Sequence, residues 1–289
     1  MSKKLNLGCG NRFRTEGWVN VDFSNPNPKV QKHDLRRPLP FASEEFTVVY
    51  HSHVLEHFSL TQGAVFLTEC FRVLSGGGTI RIAVPDLESI AREYLRNLEL
   101  AKAGDVKGAQ NYEWIMLELY DQTVREYPGG KMAEYLKSPN LANKDYVLSR
   151  IGTEGENLIP SATDRSDCNR SSQSLTVPKN KLELTPFMKK LLLLPISILR
   201  NFKNTVINAL GMTKKTASVA LFRSCGEIHL WMYDEFSLSR ALAECGFRDI
   251  KKVTAFVSRV PNWNLEMLDT NSDGSIYKPD SLFIEATKP

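Results

Sequence analysis

The stretch Leu5-Asn6-Leu7-Gly8-Cys9-Gly10 decides the reading of this chain, because an apolar run typical of a buried strand leads directly into a glycine–x–glycine turn. Glycine lets the backbone approach a ligand that a Cβ would hold away. Taken alone, such a turn is as often structural as functional, so its surroundings matter. Trp18 to Val21 reads as a second short strand ending at Asp22, and Val30 to His33 as a third ending at Asp34. Each aspartate singly reads as a cap or turn residue. Together they suit an adenosine, Asp22 accepting from both ribose hydroxyls and Asp34-Leu35 offering one polar contact and one apolar wall to the base. Such a site belongs at the carboxyl edge of an α/β sheet. A dinucleotide fingerprint would place a third glycine where Phe13 stands, which argues against NAD.

Working outward, Phe46 to His51 is β-branched and aromatic, as a buried strand should be. Phe66, Leu67, Cys70, Phe71 and Leu74 recur at helical spacing, and Gly76-Gly77-Gly78 reads as the helix stop. Thr79 to Val84 is another apolar strand, and this alternation predicts a parallel α/β sheet. From about Leu87 to Phe222 the pattern changes. Leu87 to Ala103 and Tyr112 to Leu136 read as helices, and Ser161 to Lys181 as a polar, mobile loop. Phe187 to Leu210 is apolar with interspersed Lys189, Lys190, Arg200 and Lys203. Helices forming a lid are the simpler reading of that segment. A peripheral contact with an anionic membrane is the other, with Pro195 breaking or kinking the helix. After Gly226 the α/β pattern returns, with a helix over Tyr233 to Cys245 stopped by Gly246 and closing strands over Asp249 to Val257 and Ser281 to Ala286. The expected organisation is a cofactor domain of residues 1–90 and 222–289, interrupted by a helical insertion at 91–221 that serves as a lid or substrate-binding subdomain.

Composition narrows the function classes. The chain has 289 residues, 42% hydrophobic and 24% charged, as an ordinary globular protein has. Its net charge of +4, from 37 basic and 33 acidic residues, is too mild to argue for nucleic acid. The start carries no long apolar core, so a secretory signal is not expected, and no apolar run approaches the ~20 residues of a membrane span. The cysteines 9, 70, 168, 225 and 245 are scattered, without a CxxC pair, and read as reduced thiols of a cytoplasmic protein.

With these segments in place, the sequence resembles the class I S-adenosylmethionine-dependent methyltransferases, in particular type 11-like members of a bacterial branch encoded among surface-glycan genes. The resemblance rests on Leu5-Asn-Leu-Gly-Cys-Gly10, Gly17-Trp-Val-Asn-Val-Asp22, His33-Asp-Leu35, Ser52-His-Val-Leu-Glu-His57, Arg72-Val-Leu-Ser-Gly-Gly-Gly78 and Val84-Pro85-Asp86. It implies a Rossmann-like fold, a mostly parallel sheet with an antiparallel last strand, and S-adenosylmethionine as cofactor. That cofactor has no phosphates and so does not need the missing third glycine. Gly8, Cys9 and Gly10 would line its methionine part, Asp22 its ribose, Asp34 and Leu35 its adenine, and Ser52 and His53 the region of the sulfonium. Leu7, Asn11 and Phe23 flank these positions and complete the expected cofactor contacts. Only 11 residues separate Gly10 from Asp22, so the first helix of such a fold must be truncated or absent.

His53-Val-Leu-Glu-His57 also fits an inverted zinc-hydrolase motif, with the histidines on one helix face and Glu56 as base. No third ligand stands out downstream, so no metal is expected. In the second half, Gly226-Glu-Ile-His-Leu-Trp-Met-Tyr-Asp234 gathers His229, Trp231 and Tyr233 before a helix that Asp234 caps. Methyl transfer to an alcohol needs a positioned acceptor and a base for its proton. His229, His57 and Asp86 are the candidate bases, in that order, and Trp231 and Tyr233 the candidate substrate contacts. The reading is methylation of a hydroxyl of a sugar or glycan precursor, a small-molecule or glycan acceptor, in the cytoplasm or at the inner membrane face. A zinc hydrolase and a non-catalytic adenosine-binding protein are its rivals. The oligomeric state is not legible.

Overall fold

The computed structural model describes residues 3–138, 141–156, 159 and 213–289. The Ser161–Lys181 loop, the Phe187–Leu210 segment and Cys168 lie outside the described residues. The described chain contains strands β1 (Lys4–Leu7), β2 (Trp18–Asp22), β3 (Val30–Lys32), β4 (Phe46–Ser52), β5 (Leu74–Pro85), β6 (Arg248–Val253) and β7 (Ser281–Thr287). Its longer helices are α1 (Leu60–Val73), α2 (Leu87–Lys102), α3 (Val106–Val124), α4 (Gly130–Leu136), α5 (Lys144–Glu156), α6 (Lys214–Arg223) and α7 (Glu235–Glu244), with a short α8 at Trp263–Glu266. The strands form one sheet of order β3-β2-β1-β4-β5-β7-β6. β1 to β5 run parallel, and β7 pairs antiparallel with both β5 and β6, which is the mostly parallel sheet with an antiparallel last strand that was expected.

The two faces of this sheet are covered differently. On one, Leu5, Leu7, Val49, Ile80, Ile82, Val84 and Ile284 pack with Phe66, Leu67 and Cys70 of α1 and Leu238 and Leu242 of α7 in the main apolar core. The alternate residues of the same strands face the other way and are polar yet buried: Asn6, Asn20, Arg81 and Glu285 are all at most 3% exposed. The chemistry of the cover explains this. No helix lies between β1 and β2, so the truncation expected there is observed, and the roof over this face is the loop from Thr254 to Asp280 with α8 inside it. Loop backbone buried without a ladder needs side-chain partners. Asn6 donates to Arg12 O at 3.2 Å and Asn20 to Arg14 O at 2.6 Å. Arg12 donates to Leu268 O at 2.9 Å, and Arg81 to Thr254 O at 2.8 Å and Val257 O at 3.0 Å. Trp18, Val48, Tyr50, Val260, Trp263 and Leu268 supply the apolar part of this second layer.

Several sequence boundaries shift for local reasons. α1 begins at a capping box of Ser59 and Gln62 and ends at Val73, and Gly76-Gly77-Gly78, expected as its stop, lies inside β5. Leu74 is already extended, with φ −77° and ψ 135°, and pairs with Phe46 before the register shifts to Val48–Thr79. The glycines therefore sit in the irregular start of the strand. The single helix read over Tyr112 to Leu136 is α3 and α4, separated by a turn at Gly129, whose φ is +73°. α7 starts at Glu235, with Asp234 as its N-cap in a box with Ser237, and Tyr233 precedes it in an isolated bridge to Asp86. β6 ends at Val253, four residues before the expected boundary at Val257.

The chain forms two compact units, one of residues 1–125, 129–161 and 228–289, the other of 126–128 and 162–227. The first contains the whole sheet with α1 to α5, α7 and α8. In the second, the described helix α6 is capped by Thr213, whose hydroxyl accepts from Thr216 N at 3.1 Å. Among the described residues no helix is long and apolar enough to cross a membrane.

Candidate active site

The carboxyl ends of β1, β2, β4 and β5 meet at one edge of the sheet, and the glycine turn occupies its centre. Gly8 has φ +66°, and a Cβ there would fall 2.3 Å from Cγ2 of Val54. Both Gly8 N and Cys9 N donate to Val21 O, at 2.8 and 3.1 Å, so the turn is tied to the end of β2 by backbone alone. Gly10 N donates to Asp22 Oδ2 at 2.9 Å, while Ser24 N and Asn25 N donate to Asp22 Oδ1 at 2.8 and 2.9 Å. One carboxylate thus fixes both the glycine turn and the bend after β2. Oδ1 also accepts from Ser24 Oγ at 3.4 Å, whereas Oδ2 accepts from Gly10 N and has a second lone pair for a ligand.

Beside this turn lies a cleft of about 380 Å³ lined by Asn6, Gly8, Cys9, Gly10, Asn11, Arg12, Tyr50, Ser52, His53, Leu268, Tyr277 and Lys278. Of the expected cofactor residues, Gly8 to Asn11, Ser52 and His53 line it directly. Leu7 is fully buried beneath, and Phe23 is 38% exposed just past Asp22. The Cys9 thiol is held up at about 12, chiefly by burial and then by the charge of Asp22, so it stays protonated. Asp34 and Leu35 are not among the lining residues. Arg36 donates to both oxygens of Asp34 at 2.9 Å, which holds that carboxyl below its usual range. Leu35 packs against the main core and edges a separate hollow with Arg36 and Arg37.

The sequence did not reveal the far wall of the cleft. Arg12, Leu268, Tyr277 and Lys278 come together only through the roof loop, with the Arg12 guanidinium 3.9 Å from the centre of the Tyr277 ring. Tyr50 donates to Asp269 Oδ1 at 2.6 Å, and Asp269 also accepts from Arg81 at 2.7 Å and from Trp263 at 2.9 Å.

The histidines gather at the end of the cleft marked by His53. This residue has φ +53°, and its Nε2 lies 2.8 Å from Ser281 Oγ. Residues 55–57 form a single 3-10 turn, so His53 and His57 do not share a helix face as the hydrolase motif requires. They converge instead on Glu56. His53 Nδ1 lies 3.3 Å from Glu56 Oε1, and Nε2 of His57 and Nε2 of His229 each lie 4.0 Å from it. Burial raises the Glu56 carboxyl to about 8, with Asp280 adding to the rise. Burial also holds His53 and His229 well below their ordinary range, so both are neutral near pH 7. His57 Nδ1 stands 3.0 Å from Ile228 O, and since a carbonyl only accepts, Nδ1 is the donor there, which in the neutral ring leaves the lone pair on Nε2.

The other candidates fall elsewhere. Asp86 is 8% exposed and caps α2, accepting from Ser89 N at 3.1 Å, with Lys252 at 3.5 Å. Tyr233 is 1% exposed within the main core, whereas Trp231 is 42% exposed and its backbone N–H donates to Glu56 O at 3.2 Å. Among the described cysteines, 9, 70, 225 and 245 are free thiols.

Residues 5–82 match a family model described as a methyltransferase domain. No curated protein matches the chain. Among solved structures, an S-adenosylmethionine-dependent methyltransferase from Mesorhizobium loti is 17% identical, the match covering 29% of this chain and 47% of that one at a TM-score of 0.23. Phosphoethanolamine N-methyltransferase 1 of Haemonchus contortus, solved with phosphoethanolamine and S-adenosylhomocysteine, is 17% identical over 30% of this chain and 23% of its own, with a TM-score of 0.26. An S-adenosylmethionine-dependent methyltransferase from Thermotoga maritima is 10% identical over 100% of this chain and 83% of its own, with a TM-score of 0.37. The chain thus spans about half the length of the Mesorhizobium loti protein it matches.

Proposed function

We propose, from the match of residues 5–82 to a methyltransferase-domain family model, that this protein is a class I S-adenosylmethionine-dependent methyltransferase that transfers a methyl group to a hydroxyl of a sugar or glycan precursor. The observation that carries the reading is the glycine turn at the end of β1, tied through Gly10 N to the Asp22 carboxylate at the end of β2 and opening on the cleft. When bound there, the cofactor supplies a methyl carbon already activated by its sulfonium. Gly8, Cys9 and Gly10 bring backbone close to the methionine part, Asp22 accepts from the ribose hydroxyls, and Ser52 and His53 border the sulfonium. Asp34 and Leu35, just past β3, would border the adenine.

In-line displacement asks the protein mainly to orient the acceptor and remove its proton. His57 and His229, both directed at Glu56, are the groups set to do this, and the lone pair on His57 Nε2 suits a hydroxyl proton. The buried N-cap role of Asp86 leaves it the weakest of the candidate bases. Trp231, exposed beside the cluster, supplies an apolar surface for an acceptor. The sugar hydroxyl is supported by the resemblance to the surface-glycan branch, and on that reading the work is done in the cytoplasm or at the inner membrane face.

Calorimetric titration with S-adenosylmethionine and S-adenosylhomocysteine tests the reading. Binding in the micromolar range is expected, with at least a tenfold loss in Asp22→Ala, whose folding is checked by circular dichroism. Folded protein that binds neither compound refutes the proposal. Binding without turnover on any hydroxyl acceptor leaves the non-catalytic rival standing.

A further inference from the structure

Glu56 is an anomaly as a structural residue. It is fully buried, and neither carboxylate oxygen has a hydrogen-bond partner. Its 3.3 Å approach to His53 Nδ1 is not aligned for such a bond. A buried carboxyl left in this state costs free energy. It is also held in place with care, since its own backbone carbonyl accepts from Leu230 N at 2.7 Å and Trp231 N at 3.2 Å. Those bonds lock the segment carrying His229 against the turn carrying His57, and His229 N is fixed in turn to Gln122 O at 2.9 Å. The result is a convergent donor set of Glu56, His57 and His229 whose ligand atoms all lie within 4.8 Å of one another.

We infer that Glu56, His57 and His229 bind a divalent transition metal of the zinc class, through the Glu56 carboxylate and Nε2 of each imidazole. Two imidazoles and one carboxylate form a known catalytic donor set for such ions, with a fourth position left open. Bonds of ~2.1 Å in a tetrahedron put ligand atoms about 3.4 Å apart, so the two 4.0 Å separations from Glu56 and the third, within 4.8 Å, are those of a set that closes on an ion by side-chain adjustment. The bond between His57 Nδ1 and Ile228 O is the outer contact that orients an imidazole ligand and fixes its tautomer. His53 joins the set to the cleft, touching Glu56 on one side and lining the cavity on the other.

On the reading of the preceding subsection, which this inference deepens, the open position takes the acceptor hydroxyl. The cation lowers the hydroxyl's pKa so that its proton leaves to solvent and the alkoxide is held for methyl transfer. The two imidazoles then serve as ligands, with the cation replacing a side chain as the agent of deprotonation.

The test is titration of chelator-stripped protein with Co²⁺, read by its visible d–d absorption, and with Zn²⁺ by calorimetry. One ion per chain is expected, with affinity reduced at least tenfold in Glu56→Gln and in His229→Ala and unchanged in Asp22→Asn. No saturable absorption below millimolar cobalt, or full affinity retained in His229→Ala, overturns the site. S-adenosylhomocysteine binding by Glu56→Gln and His229→Ala shows that these two variants are folded, as circular dichroism does for Asp22→Asn. It also separates the two ideas, because cofactor binding without cobalt binding sinks the metal alone, and the reverse sinks the methyltransferase reading alone.

Discussion

His51 shows how closely a single side chain here is bound to its surroundings. It points from β4 into the main core, fully buried, with its ring 5.2 Å from that of Phe66 and neither nitrogen hydrogen-bonded. Burial pushes its pKa down to about 3. As pH falls through 6.5 the unfolded chain takes up a proton that the folded one refuses, so the stability His51 permits is complete above pH 6.5 and lost towards pH 3. In His51→Leu this loss is absent. Urea unfolding should show the variant gaining on the parent by up to about 1.4 kcal/mol per pH unit below 6.5, whereas equal slopes would mean that the ring is solvated. Residues that act over short chain distances were legible in the same way. Gly8, Gly10 and Asp22 reveal themselves because turn and strand ends adjoin in sequence. The meeting of Glu56 with His229 did not, because the two lie far apart in sequence, and the local spacing suggested a helix where a 3-10 turn forms.

At the scale of elements, strand and helix types followed the apolar periodicity, and the discrepancies arise where tertiary pairing overrides local signals. Gly76-Gly77-Gly78 has the composition of a helix stop, yet β4 recruits it into β5. The alternation in β5 also concealed Arg81, an inward-facing cation in an apolar run. Arg81 is 0% exposed and donates to Asp269 and to Glu285, both at 2.7 Å. In Arg81→Met both carboxylates are left buried without their cation, and removing one partner of a buried pair costs about 3–5 kcal/mol. Equilibrium denaturation should register a loss of that size. A loss under about 1 kcal/mol would show that solvent reaches the site.

At the scale of the whole molecule, the sequence conveyed the α/β class and the break in its pattern but not what roofs the second face. That roof is a loop joined to the sheet by single side chains, and single side chains have no periodicity to read. Trp263 is its keystone, 3% exposed, with ring centres 6.2 Å from Trp18 and 5.1 Å from Tyr50. Trp263→Ala should lose roughly 3–5 kcal/mol of stability. Although Trp263 does not line the cleft, S-adenosylhomocysteine affinity should fall with it, because Leu268, Tyr277 and Lys278 hang from the same loop. Calorimetry and thermal denaturation of the variant check both, and unchanged affinity would show that the cleft wall stands by itself. The roof also sets a schedule for synthesis. A ribosome releases Asn6, Tyr50 and Arg81 long before residues 254–280 exist to cover them, and β7, which lies between β5 and β6, is made after every other described strand. Until translation reaches the final strand, the growing polypeptide carries a polar-lined, half-built sheet and no complete ligand cleft. Its dependence on chaperones should therefore peak late, and every prematurely terminated product should be unable to bind the cofactor.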